Sequence, residues 1–445
     1  MTAPSDRLAA MHIAILGAGY VGLVTGVSLA RIGEHHVTFV ETSPSRLDEL
    51  RRGVMPIEEP GLAQAFAAVR ERISVVDSID QVERSDLIFV AVATPIADNG
   101  DPDLTQILSA TTELQRWPDV HVCVRSTLPP GLSNRLPKLL GRPDGERVST
   151  NPEFLRQGSA MEDFAHPSRI IVGRFPETSD EHLAVVDRVY APIEAPRLRV
   201  DVAAAELIKN VANGFLALKL SFVNEVAALS EEYGVEVEEI LEGIALDPRI
   251  GSSYMRPGLG FGGSCLPKEL QVLASAGRRR GIAMHVARAT AQVNMEQQDR
   301  FIRRILVELP KGGGRVGLLG LSFKADTDDL RGSPAIYVAK RLIEDGHEVV
   351  AFDPAVRPER AVEAVPRLMI AKDAAGAFDD ADAIVIATEW PLFAKLPFAQ
   401  LRSRVRNPVL FDGRGIVDPA TATDAGFHYR GIGRHSRNPA PVVIA

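Results

Sequence analysis

His12-Ile13-Ala14-Ile15-Leu16-Gly17-Ala18-Gly19-Tyr20-Val21-Gly22 decides the fold. The first five residues form an apolar run of strand length, three glycines follow, and residues 23–31 carry a helical pattern. Gly17 allows a tight turn after the strand, Gly19 lets backbone N–H groups approach a pyrophosphate, and Gly22 lets the helix pack closely on the sheet. Glu41 ends the next apolar run, 19 residues beyond Gly22. An acid there accepts hydrogen bonds from an adenosine ribose and repels a 2′-phosphate, so the expected cofactor is NAD rather than NADP. Glycines serving only sheet-to-helix packing would leave that acid unexplained.

Working outward, further buried-strand runs fall at residues 37–40, 87–92, 121–124 and 170–172, with helical or loop stretches between them. This alternation predicts a doubly wound α/β domain. The pattern changes after Asp201: residues 203–233 run without proline, enough for a helix of about 46 Å. Helical patterns continue to about residue 309. The Lys311-Gly312-Gly313-Gly314 break then precedes a second set of strand runs at 316–319, 349–352, 383–387 and 409–411. The expected organisation is a loose extension over 1–10, an α/β domain over 11–200, a helical region over 201–310 and a second α/β domain over 311–445.

The 445 residues, 45% apolar and 24% charged, suit a globular protein with several cores. A net charge of −8 argues against a nucleic-acid partner, which calls for a basic face. Two cysteines are too few for a disulfide framework, so a reducing compartment, the cytoplasm, is expected. The segment before Met11 lacks the apolar core of a signal peptide, and no run approaches the roughly 20 residues that span a bilayer. No membrane partner and no metal are expected.

Cys265 lies in Gly260-Phe261-Gly262-Gly263-Ser264-Cys265-Leu266-Pro267-Lys268, a glycine-dense turn able to present a side chain at a helix start. A lone cysteine is more often a small buried hydrophobe, and Cys123, inside a strand run, fits that description. Lys209 and Asn213, four residues apart on the long helix, share a face and could aim an ammonium and an amide N–H at an oxyanion. A solvated or dimer-facing polar stripe is the competing explanation. Asn151-Pro152-Glu153-Phe154 reads by itself as a turn with an acid.

Together these residues resemble the UDP-glucose/GDP-mannose dehydrogenase family. The resemblance runs from Met11 to about His435 and adds to the glycine turn Arg125-Ser126-Thr127-Leu128-Pro129-Pro130-Gly131, Asn151-Pro152-Glu153-Phe154-Leu155 and Phe261-Gly262-Gly263-Ser264-Cys265. It continues with Gly320-Leu321-Ser322-Phe323-Lys324, Thr388-Glu389-Trp390 and Phe411-Asp412-Gly413-Arg414. The resemblance implies two Rossmann-like domains, the second binding a UDP-sugar, joined by a central helical dimerisation region with one long helix. It also implies a four-electron oxidation by two NAD molecules through a thiohemiacetal and a thioester on Cys265, with Lys209 and Asn213 serving the oxyanions. Glu153 would manage water for thioester hydrolysis, Thr127 would order it, and Glu269 would stand beside the cysteine.

By the same resemblance Gly17, Gly19, Tyr20, Val21, Gly22, Glu41, Arg46, Thr94, Ser126, Thr127, Gln157 and Arg331 bind the cofactor. The substrate falls to Glu153, Phe154, Leu155, Lys209, Asn213, Arg249, Tyr254, Gly262, Lys324 and Arg414, with Arg249 reaching across a homodimer. Three positions depart from the usual family pattern: Glu41 and Glu269 stand where aspartate is usual, and Gln157 stands where glutamate is usual. Gln157 cannot ionise, so any charge balance given there by a glutamate must come from elsewhere. Tyr254-Met255-Arg256-Pro257-Gly258 and Ser264-Cys265-Leu266-Pro267 hint at GDP-mannose, whereas the last two motifs favour UDP-glucose. A two-electron hydroxy-acid dehydrogenase would need neither Cys265 nor the second α/β domain. A non-catalytic nucleotide-sugar binder would not need the nucleophile and oxyanion positions.

Overall fold

The computed structural model describes residues 10–95, 103–128 and 131–434. The expected extension, apart from Ala10, Pro129 and Pro130 of the second motif block, and residues 435–445 of the expected second α/β domain lie outside these residues. Internal contacts separate the chain into two compact units, one ending at Val211 and the other beginning at Ala212.

The first unit carries eight strands: β1 (His12–Leu16), β2 (His36–Val40), β3 (Ile73–Val76), β4 (Leu87–Val90), β5 (His121–Val124), β6 (Val148–Thr150), β7 (Ile170–Arg174) and β8 (Arg197–Asp201). They form one sheet in the order β3-β2-β1-β4-β5-β6-β7-β8, parallel except for the β6–β7 pair. Its first six strands have the order of a dinucleotide-binding fold. Both faces are covered, which is why the central strands read as continuous apolar runs. Ile13 and Ile15 point into one core with Phe39, Phe89 and Cys123, while Ala14 and Leu16 point into the other with Ile88 and Val90. Strand order reverses between β1 and β4, so the loops after those two strands diverge and leave a crevice at their carboxyl ends.

The second unit repeats that order with β9 (Arg315–Leu319), β10 (Glu348–Phe352), β11 (Met369–Ile370), β12 (Ala383–Ile386), β13 (Val409–Asp412) and β14 (His428–Gly431). The sheet runs β11-β10-β9-β12-β13-β14 and is parallel throughout. Gly320 after β9 has φ +96°, the value Gly17 has after β1. The carboxylate of Asp353, just past β10, accepts the Leu321 and Ser322 N–H groups, much as Glu41 past β2 accepts the Ala18 N–H. The same backbone device therefore occurs twice.

Between the sheets the chain forms the helices Val202–Tyr233, Val237–Ala245, Leu266–Arg279 and His285–Glu308. The protein thus has two Rossmann-like domains joined in sequence by a helical region with one long helix. Along that helix Phe215, Phe222 and Leu229, seven residues apart, are 60%, 54% and 57% exposed. Seven residues make about two turns, so these side chains form one apolar line. Among the described residues no helix is long and apolar enough to cross a membrane.

Candidate active site

The glycine turn of the first unit fits a dinucleotide. Gly17 has positive φ, and a Cβ there would meet the Ala91 carbonyl oxygen at 2.9 Å, beside the strand-order reversal. A Cβ on Gly22 would strike the Gly17 carbonyl oxygen at 1.9 Å. Gly19 differs: its φ is −79° and a Cβ would meet nothing within 4 Å. Nothing among the described residues demands glycine at that position, whereas a pyrophosphate resting on the turn would. The 13-residue helix Tyr20–Ile32 starts there, and Tyr20 and Val21 form its first turn. Glu41 is buried; it accepts the Ser43 N–H at 2.8 Å and pairs with Arg46 at 3.4 Å. The Ser126 hydroxyl bonds the Val92 carbonyl at 2.7 Å, and buried Thr94 donates to the Thr127 carbonyl at 2.8 Å. Gln157 lies half-buried in the loop after Leu155.

Lys209 and Glu153 form a desolvated pair in the same unit, with side chains 4% and 8% exposed. The Lys209 ammonium donates to Glu153 Oε1 at 2.8 Å and to the Glu153 carbonyl at 2.6 Å. Burial by itself raises the Glu153 pKa, but the Lys209 charge, its hydrogen bond and the Leu155 N–H together outweigh burial and hold it below the usual carboxylate range. Glu153 is therefore a carboxylate at neutral pH, able to accept a proton. The half-buried Phe154 ring carries the Arg169 guanidinium 3.9 Å from its centroid and the Lys209 ammonium at 5.4 Å.

Thr127 and Lys209 line a small pocket with Ser126, Thr150, Pro152, Glu206 and Asn210, large enough for about one water molecule. Among the described residues, Thr150 Oγ1 and Asn210 Oδ1 are buried with no hydrogen-bond partner. Glu206 accepts the Gly131 and Ser133 N–H groups at 2.9 and 3.0 Å, although burial pushes its carboxyl up. Glu206 and Asn210 were missing from the residues expected from sequence. With Lys209 and Asn213 they make a polar i, i+3, i+4, i+7 stripe on an apolar helix, which was the available signal.

In the second unit Cys265 is exposed and occupies the N-cap position of the 14-residue helix Leu266–Arg279. A helix N-terminus favours the thiolate, the nucleophilic form. The turn before it is built on glycine: a Cβ on Gly262 would lie 2.1 Å from the Gly332 carbonyl oxygen, and Gly263 has φ +80°. The Gly263 N–H bonds the carbonyl of Arg331 at 3.0 Å. The exposed Arg331 guanidinium is held by Asp329, whose hydrogen bonds keep it firmly protonated. Glu269 is buried one turn into the helix. Cys123, by contrast, is fully buried and its thiol is pushed up to about 11 by desolvation.

Lys324 is half-buried beside Phe323, whose ring packs on Gly263. Arg414 donates to three carbonyls of its own unit, Ala387, Gly260 and Phe323, and pairs with Glu389 at 3.2 Å. Tyr254 has φ +60°, an uncommon backbone conformation for a tyrosine. Arg249 has a side chain 87% exposed and chelated by Asp247. Asn213 is half-buried, one turn beyond Lys209.

The sequence matches the UDP-glucose/GDP-mannose dehydrogenase family in three parts: its NAD binding domain over residues 11–194, its central domain over 203–296 and its UDP binding domain over 317–419. The UDP-glucose 6-dehydrogenase YwqF of Bacillus subtilis is 35% identical, with 97% of this chain and 100% of that protein aligned. The UDP-glucose 6-dehydrogenase of Rhizobium meliloti is 36% identical over 95% of this chain and 100% of its own length. Among solved structures, the UDP-glucose dehydrogenase of Pyrobaculum islandicum superposes with a TM-score of 0.86 at 34% identity, covering 98% of this chain and 100% of that one. These matches take in both units, the long helix and the Cys265 turn, and the chain belongs to the UDP-glucose/GDP-mannose dehydrogenase family.

Proposed function

We propose that the protein is an NAD-dependent UDP-glucose 6-dehydrogenase. It converts the primary alcohol at carbon six of UDP-glucose to the carboxylate, consuming two NAD and one water and forming two NADH. The observation that carries this reading is the placement of Cys265: a two-electron dehydrogenase has no use for an exposed thiol at a helix N-terminus. Bound NAD supplies the hydride acceptor; the glycine turn holds its pyrophosphate, and Glu41 takes the adenosine ribose and disfavours NADP.

Lys209 and Asn213 stabilise the alkoxide and the tetrahedral oxyanions. The Cys265 sulfur adds to the carbon-six aldehyde to give a thiohemiacetal, whose oxidation leaves a thioester. Glu153, ionised beside Lys209, accepts a proton from the water that attacks the thioester; the acid is released and the thiolate of Cys265 returns. The names of the relatives in Bacillus subtilis and Rhizobium meliloti support UDP-glucose over GDP-mannose. The apolar line at Phe215, Phe222 and Leu229 supports a homodimer around the long helix, with solvent-facing Arg249 available to a neighbouring copy's site.

The test is NADH formed per sugar consumed, measured across UDP-glucose, UDP-galactose, UDP-N-acetylhexosamines and GDP-mannose. Two NADH per UDP-glucose is expected. One per sugar would end the four-electron assignment, and a preference for GDP-mannose would replace the substrate.

A further inference from the structure

Glu59 belongs to neither ligand in the reading above, yet its surroundings are elaborate. It is 7% exposed, and both carboxylate oxygens are engaged. Oε2 accepts the Tyr20 hydroxyl in a short hydrogen bond and the Gly158 N–H at 2.7 Å, while Oε1 accepts the Ala160 N–H at 2.7 Å. These partners lie 39, 99 and 101 residues away in the chain. A buried carboxylate ordinarily faces a cation. Among the described residues this one is satisfied by a phenol and two amides instead, and charge-assisted bonds of that kind are short and directional. Burial, and next the Glu59 acceptor, hold the Tyr20 phenol protonated, so it stays a donor. Gly158 has φ +80°, a conformation that presents its N–H to the carboxylate at no steric cost.

The three partners belong to two segments assigned to the cofactor, brought together on one carboxylate. Tyr20 opens the helix on which the pyrophosphate would rest, and residues 157–160 follow directly on Leu155 and carry Gln157, assigned to the cofactor. We propose that Glu59 is a positioning residue that clamps the start of the pyrophosphate helix, through Tyr20, to the loop that carries Gln157, through Gly158 and Ala160. The inference rests on the reading of the first unit as an NAD site. With the clamp in place both segments are ordered before the cofactor arrives; without it, binding must order them. A whole dinucleotide, which touches both segments, feels the loss of their coupling, whereas AMP, whose single phosphate reaches only the glycine turn, has at most one segment to order.

Glu59→Gln keeps the shape but turns an amide N–H2 toward at least one of the three donors. Calorimetric titration with NADH and with AMP, in the absence of sugar, separates clamping from mere support of the fold. Glu59→Gln is expected to bind NADH about tenfold more weakly, equivalent to about 1.4 kcal/mol, and AMP within about twofold of wild type. Tyr20→Phe leaves the two amide bonds intact and is expected to weaken NADH by about threefold, again sparing AMP. It carries the test if Glu59→Gln does not fold. Leu114→Ala, a cavity in the core on the sheet's other face, serves as the purely structural control: its melting temperature falls while both affinities hold. Parallel weakening of NADH and AMP, or unchanged NADH affinity in both clamp variants, overturns the inference. Wild-type protein that binds no NADH overturns the dinucleotide reading itself, which is a different failure.

Discussion

Glu153→Gln removes the charge from a buried pair while keeping its shape, and the size of the effect can be worked out from the contacts. The carboxylate receives Lys209 Nζ on Oε1 at 2.8 Å and the Leu155 N–H on Oε2 at 2.6 Å. Glutamine offers one acceptor oxygen, so its N–H2 must face either the ammonium or the Leu155 N–H. With side chains 4% and 8% exposed, bulk water is largely kept from the pair. Breaking a buried pair from one side costs about 3–5 kcal/mol. Lys209 keeps the Glu153 backbone carbonyl at 2.6 Å, which places the cost at the low end, about 3 kcal/mol. For a unit of this size that lowers the melting temperature by about 6–12 °C.

Acid must erase the difference. The Glu153 pKa is lowered overall in the folded state, so its contribution is complete above the unfolded value, about 4.3, and is lost as pH falls through the lower folded value. The two tryptophans fall one in each unit, Trp117 in the first and Trp390 in the second. A Trp390→Phe background therefore lets indole fluorescence report the first unit alone. A gap below about 2 °C at neutral pH, or one that widens on acidification, would refute a desolvated ion pair at this site.

Cys265→Ser should keep the fold and both ligands but lose several orders of magnitude in turnover to the acid, with any slow covalent sugar adduct visible by intact-protein mass spectrometry; wild-type turnover would exclude the covalent route. Cys123→Ser should leave turnover near normal, and Cys123 should resist alkylation under native conditions, since burial pushes its thiol up to about 11. His121 and His182 stand Nδ1 to Nδ1 at 3.0 Å, with burial the main cause of lowered pKa in both, His182 to about 3. The unfolded chain then takes these protons first, so the first unit should lose stability below about pH 6.5, by at most about 1.4 kcal/mol per pH unit for each imidazole. A His182→Gln melting curve as steep in pH as wild type would contradict this. Light scattering should find a dimer that Phe222→Glu, in the middle of the exposed apolar line, converts to monomer; an unchanged dimer would place the interface elsewhere.

The legible part of the fold was the part buried on both faces. Strands β1, β2, β4, β5 and β7, and in the second sheet β9, β10, β12 and β13, appeared as apolar runs because helices cover both sides of them. The strands left unread were mostly edges. β3 and β8 flank the first sheet, β11 and β14 the second, and Arg197-Leu198-Arg199-Val200-Asp201 alternates polar and apolar residues as an exposed edge does. β6 is interior, but its three residues are too few to form a pattern. At the site, Cys265 at a helix start and the glycine turn were readable because backbone geometry dictates residue type there. Glu206 left only the polar stripe on its helix as a signal, and Glu59 left none, since a carboxylate that accepts backbone N–H groups distant in sequence leaves no mark on the residues that donate them.

The boundary between the two units falls at Val211, inside a continuous helix. Modules usually meet in exposed connecting segments rich in glycine, proline or polar residues, where recombination can join foreign halves at little cost. Splitting the chain here would instead sever a run of i to i−4 hydrogen bonds and leave up to four unpaired N–H groups on one fragment and four carbonyls on the other, so a crossover must rebuild one unbroken helix. It would also require the two parental helices to agree in phase, because a slip of one residue turns every following side chain by about 100°. Shuffling of the two halves is therefore constrained to exchanges that preserve helical register through Val211, and a chimera spliced with one residue inserted there should fail where an in-register splice of the same parents folds.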